Sequence, residues 1–210
     1  HDRGHPTTDG ERAIGRAVTT ITALRTLPDV NGVGRLELVP ALERPDLLAP
    51  AVVAFLPRWA QAGEVQVAPI DPDLADTEAF CAAYGVALVE SANCVVVAGK
   101  RGDELRLAAC LVLATTRADV NGIVRRRLDV RKASFAPLEQ TVEVTGMEFG
   151  GITPLGLPAA WPVLVDPAVV AAEQVVVGSG LRRSKLVLPG AAVADLPGVE
   201  VIPGLGRPVT

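Results

Sequence analysis

Apolar and polar positions alternate along this chain with two different periods. Ala13, Ile14, Ala17, Val18, Ile21 and Leu24 recur at helical spacing and predict an amphipathic helix over 11–26, stopped near Pro28. Asn31-Gly32 is a turn signal, and Leu36 and Leu38 alternate as in a strand over 35–39. Val52, Val53, Leu56, Trp59 and Ala60 give 46–62 one apolar face, a helix that Pro57 must kink or shorten. Val65 and Val67 mark a short strand, 73–84 a helix, and Gly85 its C-cap.

Two apolar runs, 93–98 and 105–113, bracket the charged turn 100–104 and predict a central, largely buried antiparallel hairpin. Asp119 can cap a helix running to about Leu128, and Pro137 can open another that Gly146 closes. Further short strands are expected at 163–165, 175–177, 186–188 and 199–202, with Pro167 and Pro189 opening short helical turns. Hairpins mixed with helices imply an α+β fold built on a mixed β-sheet with flanking helices.

Composition narrows the function. Aromatic residues make up 3% of the 210, too few for the broad base-stacking platforms of the common single-strand RNA-binding folds. Cys81, Cys94 and Cys110 are widely spaced among apolar neighbours and read as buried thiols. No apolar stretch is long enough to span a membrane and the first residues are polar, so a cytoplasmic protein without membrane partners is expected. The net charge of -4 is uneven: residues 1–90 carry -6 and residues 91–210 carry +2. Arg117, Arg125, Arg126, Arg127, Arg131 and Lys132 form one basic group and Arg182, Arg183 and Lys185 another, which suits a phosphate-bearing partner as well as solvated surfaces.

The only histidines, His1 and His5, lie in a polar tail, so histidine-based triads and metal sites are excluded from the body, and no metal or cofactor is expected. Val177-Gly178-Ser179-Gly180 lacks the first glycine of a nucleophile elbow, and as a dinucleotide fingerprint it has Arg183 where the third glycine belongs. What remains is 145–158, with four glycines and two prolines between regular segments. Such a segment can aim backbone N–H groups at one ligand, although a long structural connector would have the same composition. Loop amides could then stabilise an oxyanion, with carboxylates or lysines as weak acid-base groups.

Lys132-Ala133-Ser134-Phe135-Ala136, Val144-Thr145-Gly146, Gly150 to Gly156, Val163 to Asp166 and Val176 to Gly180 occur in an order that resembles the YbaK/EbsC group of aminoacyl-tRNA editing domains. That group includes trans-acting prolyl-tRNA deacylases and the insertion domain of bacterial prolyl-tRNA synthetase. The resemblance covers roughly 45–205, strongest over 119–188, leaving 1–44 as an N-terminal extension and 206–210 as a tail. It implies a deacylase that hydrolyses the ester of mischarged tRNA, with the terminal ribose hydroxyl helping to activate water. Substrate would be held by Gly150, Gly151, Ile152, Thr153 and Pro154 together with Ser179 and Gly180. Arg125, Arg126, Arg127, Arg131, Lys132, Arg182 and Arg183 would meet acceptor-stem phosphates, and an aminoacyl-tRNA synthetase is an admissible partner.

Two departures bear on catalysis. Many members carry a functional lysine in the strand corresponding to 93–98, and here that position falls among Val95, Val96 and Val97. Where relatives often have an acidic residue after the Gly-Ser-Gly turn, this chain has Ser184-Lys185. Lys185 is therefore the candidate catalytic group, supplying from the opposite wall the charge the first strand lacks, and Lys100 is a weaker substitute. The alternatives are a binding protein for tRNA, an aminoacyl nucleotide or an amino acid derivative that has lost hydrolysis, and a hydrolase of some other small ester or amide.

Overall fold

Residues 33–209 are described by a computed structural model; the predicted helix at 11–26 and the Asn31-Gly32 turn lie outside the described residues. In chain order the elements begin β1 (Val39–Pro40), α1 (Pro50–Phe55), β2 (Gln66–Pro69), α2 (Thr77–Tyr84), β3 (Ala92–Arg101) and β4 (Glu104–Leu113). They continue with β5 (Thr116–Ala118), α3 (Arg125–Arg127), β6 (Ala133–Phe135), α4 (Leu138–Thr145) and β7 (Val163–Val165). The last are α5 (Pro167–Ala171), β8 (Val175–Gly178), β9 (Ser184–Leu188), α6 (Gly190–Val193), β10 (Val199–Val201) and β11 (Gly206–Pro208). Among the described residues no helix is long and apolar enough to cross a membrane.

The expected hairpin is the longest pairing, β3 against β4 from Ala92↔Leu113 to Arg101↔Glu104. It anchors a five-stranded sheet of order β10-β7-β4-β3-β6, in which β7 runs parallel to both β4 and β10. A second sheet has the order β1-β2-β9-β8 and is antiparallel throughout. Near the start of β3 the two sheets are paired strand to strand at one parallel bridge, Ser91↔Val176. The result is an α+β fold, one sheet of it mixed.

Period-two alternation divides the apolar residues into three clusters. Ala109, Leu111 and Leu113 of β4 meet Val175, Val177, Leu186 and Leu188 of the other sheet in the main core, with Val52 and Leu56. Ala108, Cys110 and Val112 face outward onto Val124, Leu128 and Val130. On the far side of the smaller sheet, Val176 and Val187 pack with Phe80 and Cys81 of α2 and with Val33 and Leu36. Chain on both sides of 45–205 joins the pairing, since β1 pairs with β2 and β11 with β5.

Several elements differ in extent from the pattern. The strand expected at 35–39 is reduced to β1. The helix expected over 46–62 divides into 3-10 turns at Pro45–Leu47, Leu56–Arg58 and Ala62–Glu64 around α1. Pro57 explains the break, because its ring displaces the carbonyl four residues back and it has no N–H to donate. Similarly, 73–84 splits into a 3-10 turn at Pro72–Leu74 and α2, which places a helix start at Asp76-Thr77. Asp119 caps as expected, accepting from the N–H groups of Gly122 and Ile123, but the first turn it caps is a π-turn, Val120–Val124.

Candidate functional site

The smaller sheet carries one charged residue in its interior. β9 reads Ser184-Lys185-Leu186-Val187-Leu188, all buried, and alternation turns Lys185 to the face shared with Val187 and α2. A buried ammonium needs acceptors to replace water. Lys185 Nζ donates to the carbonyl oxygens of Ala75 at 3.0 Å and Gly150 at 3.3 Å, and lies 5.3 Å from the centre of the Phe80 ring. Burial lowers its pKa to about 8; Arg182 adds to that effect while Cys81 and Asp76 oppose it. Two of its three N–H donors are engaged, which leaves one for a ligand.

That ligand would enter a cavity of about 450 Å³ in which Lys185 and Gly150 form one wall. Asp76 and Thr77 at the start of α2 form another, and Asn93, Cys94, Val95 and Val96 of β3 a third. Asn93 is held by the Thr77 hydroxyl, which donates to its side-chain oxygen at 2.7 Å. β6 pairs with β3 as far as Val97, and Ala136 N–H adds a bond to Val96 O at 2.8 Å, so no β6 pairing reaches Asn93, Cys94 and Val95. The Cys94 thiol is pushed well above its usual range by burial, and Cys110 to about 12 by the same cause, so neither is a nucleophile at neutral pH.

The glycine-rich segment is held backbone to backbone against the turn after β8. Glu148 N–H donates to Gly180 O at 2.8 Å, and Gly180 N–H to Gly151 O at 2.7 Å. A Cβ on Gly178 would lie 2.1 Å from the Gly151 carbonyl oxygen, and one on Gly151 would lie 2.6 Å from the Leu181 backbone, so both positions need glycine for close approach. The amides of Gly151 and Gly180 are used inside this packing, Gly151 donating to Glu148 O at 3.0 Å. What the segment turns toward Lys185 is a carbonyl, that of Gly150.

Of the residues read from the sequence, Gly150, Ile152 and Lys185 border the cavity together. Gly151, Thr153, Pro154, Ser179 and Gly180 are buried behind it. Ser179 and Ser184 hydroxyls bond to each other, and Ser184 donates to Leu47 O, which fixes the turn. Thr153 Oγ1 has no hydrogen-bond partner among the described residues. The basic residues do not converge on one cavity. Arg182 sits at the mouth near Asp76, 3.5 Å away, while Arg183 donates to Asp46 O. Arg127 pairs with Glu200 beside Trp161, and Arg125 bonds Asn121 O. Arg126 is exposed on α3. Arg131 and Lys132 line a separate cleft with Lys100 and Ser134, so Lys100 belongs to that cleft. Sequence reading passed over Asp76, Thr77, Asn93, Phe135 and Phe149. The helix-start signal of Asp76-Thr77 was masked by the preceding Pro72-Asp73.

The protein is thus a two-sheet α+β domain with a part-apolar cavity whose walls hold one buried lysine, one carboxylate, Asp76, and no histidine. Residues 71–196, more than half of the sequence, match the aminoacyl-tRNA editing domain family, and the chain belongs to that family. Among solved structures it is similar to a candidate trans-editing enzyme for prolyl-tRNA synthetase, at 20% identity and TM-score 0.64, over 76% of this chain and 99% of that one. It is similar to a protein described only as hypothetical, at 19% identity and TM-score 0.61, over 70% and 95% of the two chains. A scaffold used for epitope grafting by computational design matches at 20% identity and TM-score 0.64, over 76% and 97%. These likenesses show a shared fold. No curated protein matches the sequence.

Proposed function

We propose that this chain is a trans-acting aminoacyl-tRNA deacylase that hydrolyses the ester of mischarged tRNA in the cavity beside Gly150. Membership of the editing family supports the substrate class. The observation that carries the reading is Lys185, a buried ammonium pinned by two carbonyls, with one N–H left without an acceptor among the described residues. In this reading water adds to the acyl carbon, the third N–H of Lys185 donates to the developing oxyanion, and the ribose oxygen leaves with a proton. The products are a free amino acid and a tRNA with its terminal hydroxyls restored. The Gly150 carbonyl has a positioning role, holding the ammonium in place, and the substrate's own ribose hydroxyl assists the water.

Preorganised donors at an oxyanion are commonly worth about 100- to 1000-fold in rate. Lys185→Met should therefore lower deacylation by about that factor on whichever member of a mischarged-tRNA panel the wild type cleaves. Release of amino acid from no member of a broad panel would sink the reading.

A second reading has its own observation. The β3 wall presents Val95, Val96 and a thiol held protonated by burial, so it offers no charge to the substrate. A binding protein for aminoacyl-tRNA or an aminoacyl nucleotide would then bind in a salt-sensitive manner without turnover.

A further inference from the structure

Aromatic residues are scarce, two Trp, one Tyr and four Phe, and most serve the core. Trp59, Trp161 and Phe80 are buried, and Phe55 and Tyr84 pack partly buried against core clusters. Phe135 and Phe149 are the exceptions, 64% and 59% exposed, and both border the mouth of the cavity that holds Lys185. Their places come from different elements. Phe135 ends β6, fixed by its pairing with Val97. Phe149 stands in the glycine-rich segment between Glu148 and Gly151, whose backbones are bonded to each other. The Arg182 guanidinium lies 5.9 Å from the centre of the Phe149 ring and near Asp76, which holds a cation at the same mouth.

Two rings left in water on separate parts of the chain, both at the entrance of a pocket and one of them beside a guanidinium, have the features of a stacking site for a planar ligand. Ser134 precedes Phe135, and with Arg131, Lys132 and Lys100 it lines the neighbouring cleft, so cationic side chains of the chain entering β6 and of β3 stand beside the ring. A base on the rings with its sugar-phosphate chain running toward that cleft uses both features.

We propose that Phe135 and Phe149 form a stacking site for the unpaired nucleobase at the tRNA 3′ end, at the mouth of the acyl cavity. The proposal rests on the deacylase reading for its ligand, and it concerns residues that have no part in the ester chemistry. The rings contact the face of the base, so the site recognises a nucleobase without reading its hydrogen-bonding edge.

The test uses the full chain and two probes, adenosine monophosphate and ribose 5-phosphate, which differ by the base, with binding followed by amide chemical shifts. Adenosine monophosphate should perturb Phe149 and Ile152 and bind at least tenfold more tightly than ribose 5-phosphate. Phe135→Leu and Phe149→Leu, each keeping apolar bulk at an exposed position, should weaken the nucleotide about tenfold and leave ribose 5-phosphate unchanged. Phe149→Trp, which keeps a ring, should retain binding and show fluorescence quenching by the nucleotide. Equal binding of the two probes, no binding of the nucleotide, or wild-type affinity in both leucine variants overturns the site. Nucleotide binding that depends on the rings in a chain that deacylates no tRNA would sink the deacylase reading and leave the stacking site standing.

Discussion

Lys185 joins a stability effect to a chemical one. Its pKa in the fold is about 8 against an ordinary 10.5, so between those values the unfolded chain binds the extra proton and stability rises with pH. The gap corresponds to about 3 kcal/mol. Unfolding free energies of the wild type and Lys185→Met, measured from about pH 7 to pH 11, should converge or cross in the wild type's favour by about that amount, whereas parallel curves would show that the ammonium is not desolvated. The rate should respond in the opposite sense. A cationic donor loses its role as it deprotonates, so the lysine-dependent part of kcat/KM should fall as pH rises through about 8. A rate that rises with the same inflection would make the lysine a base instead of a donor. The sequence marked Lys185 by an absence elsewhere, the missing lysine of 93–98, but its partners Ala75 and Gly150 lie 110 and 35 residues away and no spacing rule reaches them.

At the scale of elements, the site depends on two stretches of backbone lying closer than side chains permit. Gly178→Ala places a methyl 2.1 Å from the Gly151 carbonyl oxygen and 2.5 Å from that of Ile152, neither of which can swing aside as a side chain would. Overpacking of this kind costs about 3 kcal/mol, a fall of roughly 10 °C in Tm for a chain this size, and Gly150 would shift with the segment. Gly63→Ala, where a methyl meets nothing within 4 Å, should leave Tm within a degree or two and serves as the control. Elements with strong local signals were legible: the β3-β4 hairpin, the Asp119 cap, and the helix ends at Gly85 and Gly146, both left-handed. Elements whose limits depend on tertiary contact were not. The start of α2 follows two acidic residues and a proline that read equally well as its first turn, and the 46–62 apolar face survives as short turns because the core, not hydrogen bonding along one helix, holds it.

For the whole molecule, charge predicts a division of labour. Arg127 is tied to Glu200 and Arg183 to the chain at Asp46, whereas Arg131 and Lys132 are exposed beside the cleft that leads from Phe135. Replacing Arg131 and Lys132 together with alanine should weaken tRNA binding and reduce the slope of log affinity against log salt by about 1.5, while replacing Arg127 should leave the slope nearly unchanged. Equal slopes for both variants would mean that the acceptor stem lies elsewhere. The Ser91↔Val176 bridge, the narrow join between the two sheets, has a further consequence. The cavity straddles it, with Val96 on one side and Gly178 and Lys185 on the other, so an occupant adds contacts between two sheets whose strands pair with each other only at that bridge. Occupancy should then act as a cross-brace: amide protons of β3 and β8 near that rung would exchange more slowly together, and by the same factor, as ligand is added.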